Sequence, residues 1–496
     1  MSALRSMLAW DVRLQRRYGF YAVYAVLTVV FVLGLRAVGP GLRTDAAVLL
    51  IVTDPTVLGF YFIASIVLFE KEEGVLDALT VSPLGDRGYL VSKVISLSLL
   101  AVVAATSVAV FGHGSPWGLA ILVVGVALSA SLFVLVGFVA VARFDSINEY
   151  FISAVGWGTI LFLPLFGYVG VLDTQLFYVL PVQPTLVLVT GGFEPLAAWE
   201  VAYGTGYLLV GNAVAYVWAR RAFRRHVVRG GDPGDQFGRG EVPRSRERSD
   251  RSGLASRSPA VGLALADLRN WVRDPMLSIA AVGPLVLSVI IRFGTPIVAD
   301  MAAPVLELSP YYPVVAGSMA AFGPAIYGFV VGMFVLEDRE QGVLAAYRVS
   351  PLSARGYLLY RGGTAYVLSL LATLPALAVI GLVPVSPAVL IGTAAVSVLG
   401  GPVLALGFGT LASNTIEGLA ISKLVNVLVL GPAVVIAVVP EPLQFVAGAL
   451  PTYWPVKAFV AGTSSEPIWP LYLFVGGVSH LLVLAWLGRT FARRAD

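Results

Sequence analysis

Glu72-Glu-Gly-Val-Leu-Asp-Ala-Leu-Thr-Val-Ser-Pro-Leu-Gly-Asp-Arg-Gly-Tyr-Leu90 returns 268 positions later as Glu340-Gln-Gly-Val-Leu-Ala-Ala-Tyr-Arg-Val-Ser-Pro-Leu-Ser-Ala-Arg-Gly-Tyr-Leu358, with thirteen of nineteen positions identical. The more apolar stretches that follow, 93–111 and 361–379, agree only at Leu100/Leu368 and Ala104/Ala372. Shared greasiness therefore does not explain the match, and an internal duplication does. The same offset pairs Glu149 with Glu417 and Pro164 with Pro432. With a shift of two or three more, Leu180-Pro181-x-x-Pro184 resembles Leu450-Pro451-x-x-x-Pro455.

Around these two copies the chain is apolar. Of 496 residues, 58% are hydrophobic and 12% charged, about half the charged share of a soluble domain. Twelve apolar runs suit the bilayer, near 19–38, 47–69, 89–111, 117–142, 150–172 and 199–219, then 276–293, 311–336, 357–381, 387–411, 419–440 and 468–488. The expectation is an all-α polytopic membrane protein with two parallel six-helix repeats, since six is even. With both termini cytoplasmic, only Arg36, Arg43, Arg292 and Lys457 of the 33 basic residues face outwards, as the positive-inside rule requires. The first apolar run lacks an A-x-A-like cleavage site and reads as a retained span.

Residues 225–258 differ in kind, arginine-rich with Gly230-Gly231-Asp232-Pro233-Gly234 and a Ser/Arg stretch. Such a segment cannot bury a core and is expected to be a disordered cytoplasmic linker near lipid head groups. It has too few aromatics for nucleic-acid binding. The units are therefore expected at 1–224 and 259–496. Each opens on an amphipathic lead-in: Leu4, Met7, Leu8 and Val12 recur at helical spacing among Arg5, Asp11, Arg13, Arg16 and Arg17, and Leu263, Leu265, Leu268 and Val272 do so in the second unit. Both suit the cytoplasmic interface.

The repeated loop joins the second and third spans. It starts acidic, with Glu70-Lys71-Glu72-Glu73 and Glu337-Asp338-Arg339-Glu340, as a helix N-terminus favours. After Gly74 and Gly342, the residues Val75, Leu76 and Leu79, and Val343, Leu344 and Tyr347, make an apolar stripe. Pro83 and Pro351 stop the helix. A short greasy helix outside the membrane calls for a partner protein.

At these residues the chain resembles the permeases of ABC-2-type transporters. In that family the loop is the coupling helix that docks into an ATP-hydrolysing subunit, and the lead-in is a connecting helix. The opening Trp10-Asp11-Val12-Arg13-Leu14-Gln15-Arg16-Arg17-Tyr18-Gly19-Phe20-Tyr21 is similar to fluoroquinolone export permeases. The resemblance assigns coupling to Glu70, Glu72, Glu73, Gly74, Val75, Leu76 and Pro83, and to Glu337, Glu340, Gly342, Val343, Leu344 and Pro351. It implies two copies of an ABC ATPase as partners, with ATP and Mg on those subunits and no cofactor on this chain. The second copy departs at Gln341, Ala345 and Arg348, so its docking surface is not identical.

The four lysines are preceded by Glu70, Ser92, Ser422 and Val456, so there is no Walker A Gly-Lys and the motor is expected on separate chains. Cysteine is absent, and His113, His226 and His480 lie far apart, which excludes thiol chemistry and gives no metal-ligand spacing. No Ser/His/Asp set supports an enzyme. Glu149 and Glu417, at the starts of the fifth spans, are candidates for gating or helix capping. Asp54 lies in the outer third of the second span. Aromatics between the fifth and sixth spans (Phe177, Tyr178, Phe193, Trp199, Tyr453, Trp454, Phe459, Trp469) suit either an interfacial belt or, by the resemblance, short re-entrant helices over the path. The expected function is the permease subunit of an ATP-driven exporter in the plasma membrane, moving a hydrophobic or amphipathic small molecule such as a drug. The alternative is a major-facilitator-like secondary transporter, to which Gly85-Asp86-Arg87-Gly88 has a faint likeness.

Overall fold

Proline and glycine punctuate a chain whose described residues contain helices and no strand. The computed structural model describes residues 2–76, 84–114, 116–144, 147–170, 172, 174–225, 275–303, 307–343 and 354–495. The chain divides into two compact units, Met1–Ser249 and Asp250–Asp496. The expected linker falls almost wholly outside the described residues, as does the second lead-in.

In the first unit the lead-in is α1 (Ser2–Arg17), followed by α2 (Phe20–Ala37), α3 (Pro40–Thr53) and α4 (Leu58–Glu72). Gly19, at φ 74, makes the left-handed corner between α1 and α2. Asp54-Pro55 interrupts the second span between α3 and α4, where the Thr56 hydroxyl donates to Ile51 O at 2.7 Å and so satisfies a freed carbonyl. Then come α5 (Gly85–Ser107), ending in π-helical turns over Val108–His113, α6 (Leu119–Val141), α7 (Ile147–Leu161) and α8 (Pro164–Tyr168). A 3-10 turn at Gln175–Val179 and α9 (Val182–Thr190) lead into α10 (Ala198–Phe223).

The second unit contains α11 (Pro275–Ala302), α12 (Tyr312–Glu340), α13 (Ala354–Ile380), α14 (Pro387–Ser397), α15 (Gly400–Leu411) and α16 (Thr415–Val438). The short α17 (Glu441–Gln444), a 3-10 turn at Phe445–Ala449 and α18 (Tyr453–Thr463) precede α19 (Trp469–Ala495). Short helices thus separate the fifth and sixth spans in each unit. Phe177, Tyr453 and Phe459 are buried there, while Tyr178 and Trp199 are exposed, so the aromatics are partly core and partly surface.

Ten helices among the described residues are long and apolar enough to cross a bilayer. This is an all-α polytopic membrane protein. Two expected spans fall short of that test. Residues 150–172 are broken into α7 and α8 ahead of Pro164, because proline offers no N–H to continue the ladder. The sixth, α10, is continuous over 26 residues but less apolar.

Small residues bring the second and fourth spans of each unit together. A Cβ on Gly137 of α6 would lie 2.6 Å from Phe60 O and 2.8 Å from Phe60 Cα on α4. In the second unit the roles are reversed: a Cβ on Gly328 of α12 would lie 2.8 Å from Gly401 O. Close backbone approach of this kind drives helix association where lipid supplies no hydrophobic force.

Candidate functional site: the necks of the repeated loops

Three elements converge where the first loop leaves and re-enters the bundle. On α5, Tyr89, Ser92, Lys93 and Ser96 recur at i, i+3, i+4 and i+7 and so share one face. On α1, Asp11 and Gln15 do the same. Lys93 Nζ lies 2.6 Å from Asp11 Oδ1 and 2.5 Å from Glu70 Oε1, with all three side chains 1% exposed. Tyr89 donates its hydroxyl to Glu70 Oε2 at 2.6 Å, and Ser92 donates to Asp11 Oδ2. Gln15 Nε2 donates to Ser96 Oγ at 3.0 Å, and Tyr21 donates to Gln15 Oε1 at 2.9 Å. Burying an ion costs several kcal/mol, recovered only with good geometry and satisfied lone pairs. Here each carboxylate has both the ammonium and a hydroxyl. The knot ties the last turn of the second span, the first turns of the third and the lead-in helix to one another.

The second unit has the same arrangement 268 positions on. Arg361 Nη2 lies 2.6 Å from Asp338 Oδ2, and Tyr357 donates to the same oxygen at 2.7 Å. Asp338 stands at the place of Glu70, Tyr357 at that of Tyr89 and Arg361 at that of Lys93. A shorter acid meets a longer base, so the reach is conserved between the two. This pair is less sequestered, with side-chain exposures of 9% and 19%.

The neighbouring position also repeats. Lys71 Nζ donates to Ala142 O and Phe144 O, each at 2.8 Å, and Arg339 Nη1 donates to Ala412 O at 3.2 Å. A cation at the end of the second span thus covers orphan carbonyls at the end of the fourth, where the helix dipole is negative. Glu340 accepts from Thr415 N at 2.7 Å and from Thr415 Oγ1 at 2.6 Å, which joins the loop's start to the fifth span. Asn414 Oδ1 accepts the Glu417 N–H at 2.9 Å, while Glu417 Oε2 accepts from Ser413 N at 2.6 Å. Asn414 is therefore the N-cap of α16, and the Glu417 carboxylate holds the residue before the cap.

The residues expected to couple to a partner differ in exposure. Glu73 and Gly74 are exposed and Val75 is half-buried, and Glu337, Glu340 and Gly342 are exposed with Val343 half-buried. Gly74 and Gly342 have φ of 67° and 70°, the left-handed ends of α4 and α12 that a glycine provides. Glu337 Oε1 accepts from Gln341 Nε2 at 3.2 Å. Glu70 is the correction: at 1% exposure its carboxylate faces the interior, as the continuation of the buried stripe Ile63, Ile66 and Val67. Leu76, at 2% exposure, is covered by its own chain. The side chains of Glu72 and Glu149, and Pro83, Leu344 and Pro351, lie outside the described residues. Asp11, Tyr89, Lys93, Tyr357 and Arg361 were not picked out from sequence, and Asp338 only as part of an acidic run. The 268-residue offset aligns three of these pairs and was the available signal.

Deeper in the spans, Asn212 of α10 donates to Leu128 O and Leu208 O, both at 2.8 Å, and accepts from Ser131 at 2.6 Å. His480 of α19 stands 268 positions later, with Nδ1 2.8 Å from Gly476 O and Nε2 buried without a partner. Between α16 and α19 of the second unit, Lys457 Nζ lies 2.9 Å from Glu441 Oε1, and this bond and charge hold the Glu441 carboxyl below the usual carboxylate range. Among the described residues no three His, Cys, Asp or Glu side chains are grouped to hold a metal ion.

Two family models match, one on each unit. Residues 2–230 match the fluoroquinolones export permease protein family, and residues 267–488 match the family of Rv2686c-like fluoroquinolones export permease proteins. Among curated proteins, the fluoroquinolones export permease protein Rv2687c of Mycobacterium tuberculosis (strain ATCC 25618 / H37Rv) is 31% identical over 231 residues, 46% of this chain and 98% of the relative. The fluoroquinolones export permease protein Rv2686c of the same strain is 27% identical over 240 residues, 48% of this chain and 94% of the relative. Each relative is thus about half the length of this chain.

Proposed function

The chain belongs to the fluoroquinolones export permease family, a group of ABC-2-type permeases, and from that membership we propose that it is the complete transmembrane part of an ATP-driven exporter. Its two units correspond to two permease subunits on one chain. Two copies of a separate ABC ATPase dock on the two repeated loops from the cytoplasm and carry the ATP and Mg. The substrate is a hydrophobic or amphipathic drug, moved outwards across the plasma membrane, and both termini are cytoplasmic.

The observation that carries this reading is the repeated neck. A loop held at both ends by Glu70–Lys93 and Tyr89, or by Asp338–Arg361 and Tyr357, transmits a push from a docked subunit to two spans together. A loop on a flexible tether would absorb the push. Val75 and Val343 and the exposed Glu73, Glu337 and Glu340 supply a mixed surface for docking, each buried apolar side chain contributing about 1.5–3 kcal/mol. ATP binding draws the two ATPases together, moves the loops and reorients the attached spans. Native mass spectrometry of the complex purified with its ATPase tests this, with one permease chain and two ATPases expected. Two permease chains per complex would contradict it.

A further inference from the structure

The two units differ where the fourth span begins. In the first unit that corner is closed: Gly118 donates its N–H to Gly192 O at 2.9 Å, and the His113 and Phe193 rings meet with centroids 4.6 Å apart, Phe193 being buried. In the second unit Gly381 stands 268 positions after His113, Ser386 after Gly118 and Val389 after Ile121. The floor of the corner is kept, since Ile121 Cγ2 lies 3.1 Å from the place of a Cβ on Gly191 and Val389 Cγ1 lies 2.6 Å from that of a Cβ on Gly462. The aromatic plug is lost. Glu194-Pro195-Leu196 returns as Glu466-Pro467-Ile468, but one residue further from its glycine, with Ser464 and Ser465 in the place of Phe193. Ser465 has φ 56, the one non-glycine with a positive φ among the described residues, so a left-handed bend takes up the extra residue.

A cavity of about 490 Å³ opens at this corner, a size that suits a small ligand. Ser386 lines it from the corner between α13 and α14, and Thr463, Ser465, Glu466 and Trp469 line it from the corner between α18 and α19. The indole is fixed, with its Cζ3 3.4 Å from the place of a Cβ on Gly392 of α14. Among the lining residues Glu466 alone is ionisable, and it is exposed. The cavity thus offers a carboxylate, three hydroxyls and an indole, groups that accept N–H bonds and attract a cation. Ser386 and Trp469 stand at the starts of the fourth and sixth spans, so the mouth lies level with the lipid head groups, on the face of the bilayer opposite the repeated loop. Beyond it Leu471, Phe474 and Val478 of α19 are exposed at helical spacing, a strip along which an acyl chain can lie.

We propose that this cavity binds the head group of a phospholipid that carries a primary ammonium, with Glu466 and the Ser386, Thr463 and Ser465 hydroxyls accepting its N–H bonds beside Trp469. A quaternary choline has no N–H to give and binds more weakly. An anionic head group without an amine meets Glu466 as a like charge. The first unit, whose corner is filled by His113 and Phe193, takes no lipid there, so one is held per chain. The site is distinct from any transport path and stands whatever the chain exports.

The test is native mass spectrometry of the full chain released from micelles that carry equal amounts of phosphatidylethanolamine, phosphatidylcholine and phosphatidylglycerol with the same acyl chains. The wild type should retain one phosphatidylethanolamine, preferred about tenfold over phosphatidylcholine, the worth of one charge-assisted bond. Glu466→Gln should bring the two lipids close to parity, while Glu194→Gln, at the closed corner, should keep the preference. Equal retention in the wild type, a preference that survives Glu466→Gln, or one lost equally in Glu194→Gln overturns the site. The wild-type comparison holds even if a variant does not fold. Soluble phosphoethanolamine, which lacks acyl chains, should not displace the lipid at equal concentration; if it does, the occupant is a soluble amine and the lipid assignment is overturned.

Discussion

Lys93→Met removes one charge from the first neck and leaves two carboxylates in its place. Methionine keeps much of the side-chain volume, so the change is mainly electrostatic. Asp11 and Glu70, each 1% exposed, lose contacts of 2.6 and 2.5 Å and face one another with only the Ser92 and Tyr89 hydroxyls as donors. Breaking a buried pair from one side costs about 3–5 kcal/mol. The second neck is the internal control: Arg361→Met leaves a single carboxylate, 19% exposed, and water and Tyr357 can still serve it. Its cost should fall in the range of about 1.5–3 kcal/mol for one charge-assisted bond. The assay is reversible unfolding in mixed micelles, with substrate-stimulated ATPase activity measured on the reconstituted complex. Glu70→Asp/Lys93→Arg, which imports the second unit's pair, should restore much of both. A Lys93→Met protein within about 1 kcal/mol of wild type, or one no less stable than Arg361→Met, would refute the claim that this knot holds the neck together.

Glu340→Lys should leave expression and insertion intact but uncouple ATP hydrolysis from transport in vesicles, because the bonds to Thr415 are exposed and contribute about 1 kcal/mol or less to stability. Glu72→Lys should uncouple in the same way, read against the linker control Arg244→Glu. Asn212→Leu removes the bonds to Leu128 O, Leu208 O and Ser131 but leaves Ser131 its bond to Leu128 O at 2.8 Å, so it should cost about 0.5–1.5 kcal/mol, whereas His480→Leu, which removes a buried nitrogen without a partner, should cost less; equal losses on unfolding would show that the two positions are not distinguished in this way. The Glu441 carboxyl is held low by Lys457, so its contribution is present above the unfolded carboxylate pKa and is lost as pH falls through the lowered folded value. Hydrogen exchange over 441–457 should therefore rise in acid in the wild type and lose that dependence in Glu441→Gln.

Span order and the loop motif were legible because they are local. An apolar run needs no partner to be recognised, and a glycine at φ 67° or 70° ends α4 or α12 for reasons confined to its own backbone. The necks were not legible, because Asp11 and Lys93 are brought together only by the packing of α1 on α5. Glu70 was misplaced by composition: the run Glu70-Lys71-Glu72-Glu73 looks like one acidic surface, but helical spacing from Ile63, Ile66 and Val67 carries position 70 to the interior. On α1 the expected stripe included Val12, which is 45% exposed, whereas Asp11 and Gln15 are buried. Two polar residues there face the protein because α5 offers them a lysine and a serine. Proline was a weak guide to span breaks. Pro164 starts a new short helix, while Pro432 lies within the continuous α16.

On the proposed function, separate ATPase subunits drive this chain through its two loops. The direct measurement is fluoroquinolone transport in proteoliposomes containing the chain and its ATPase, with ATP supplied and ion gradients collapsed by ionophores. Transport should persist, stop when the ATPase's catalytic glutamate is replaced, and fall sharply when Glu72→Lys and Glu340→Lys are combined. Transport that instead follows an imposed proton gradient, needs no ATP and ignores both substitutions would contradict the account and assign the chain to the secondary transporters.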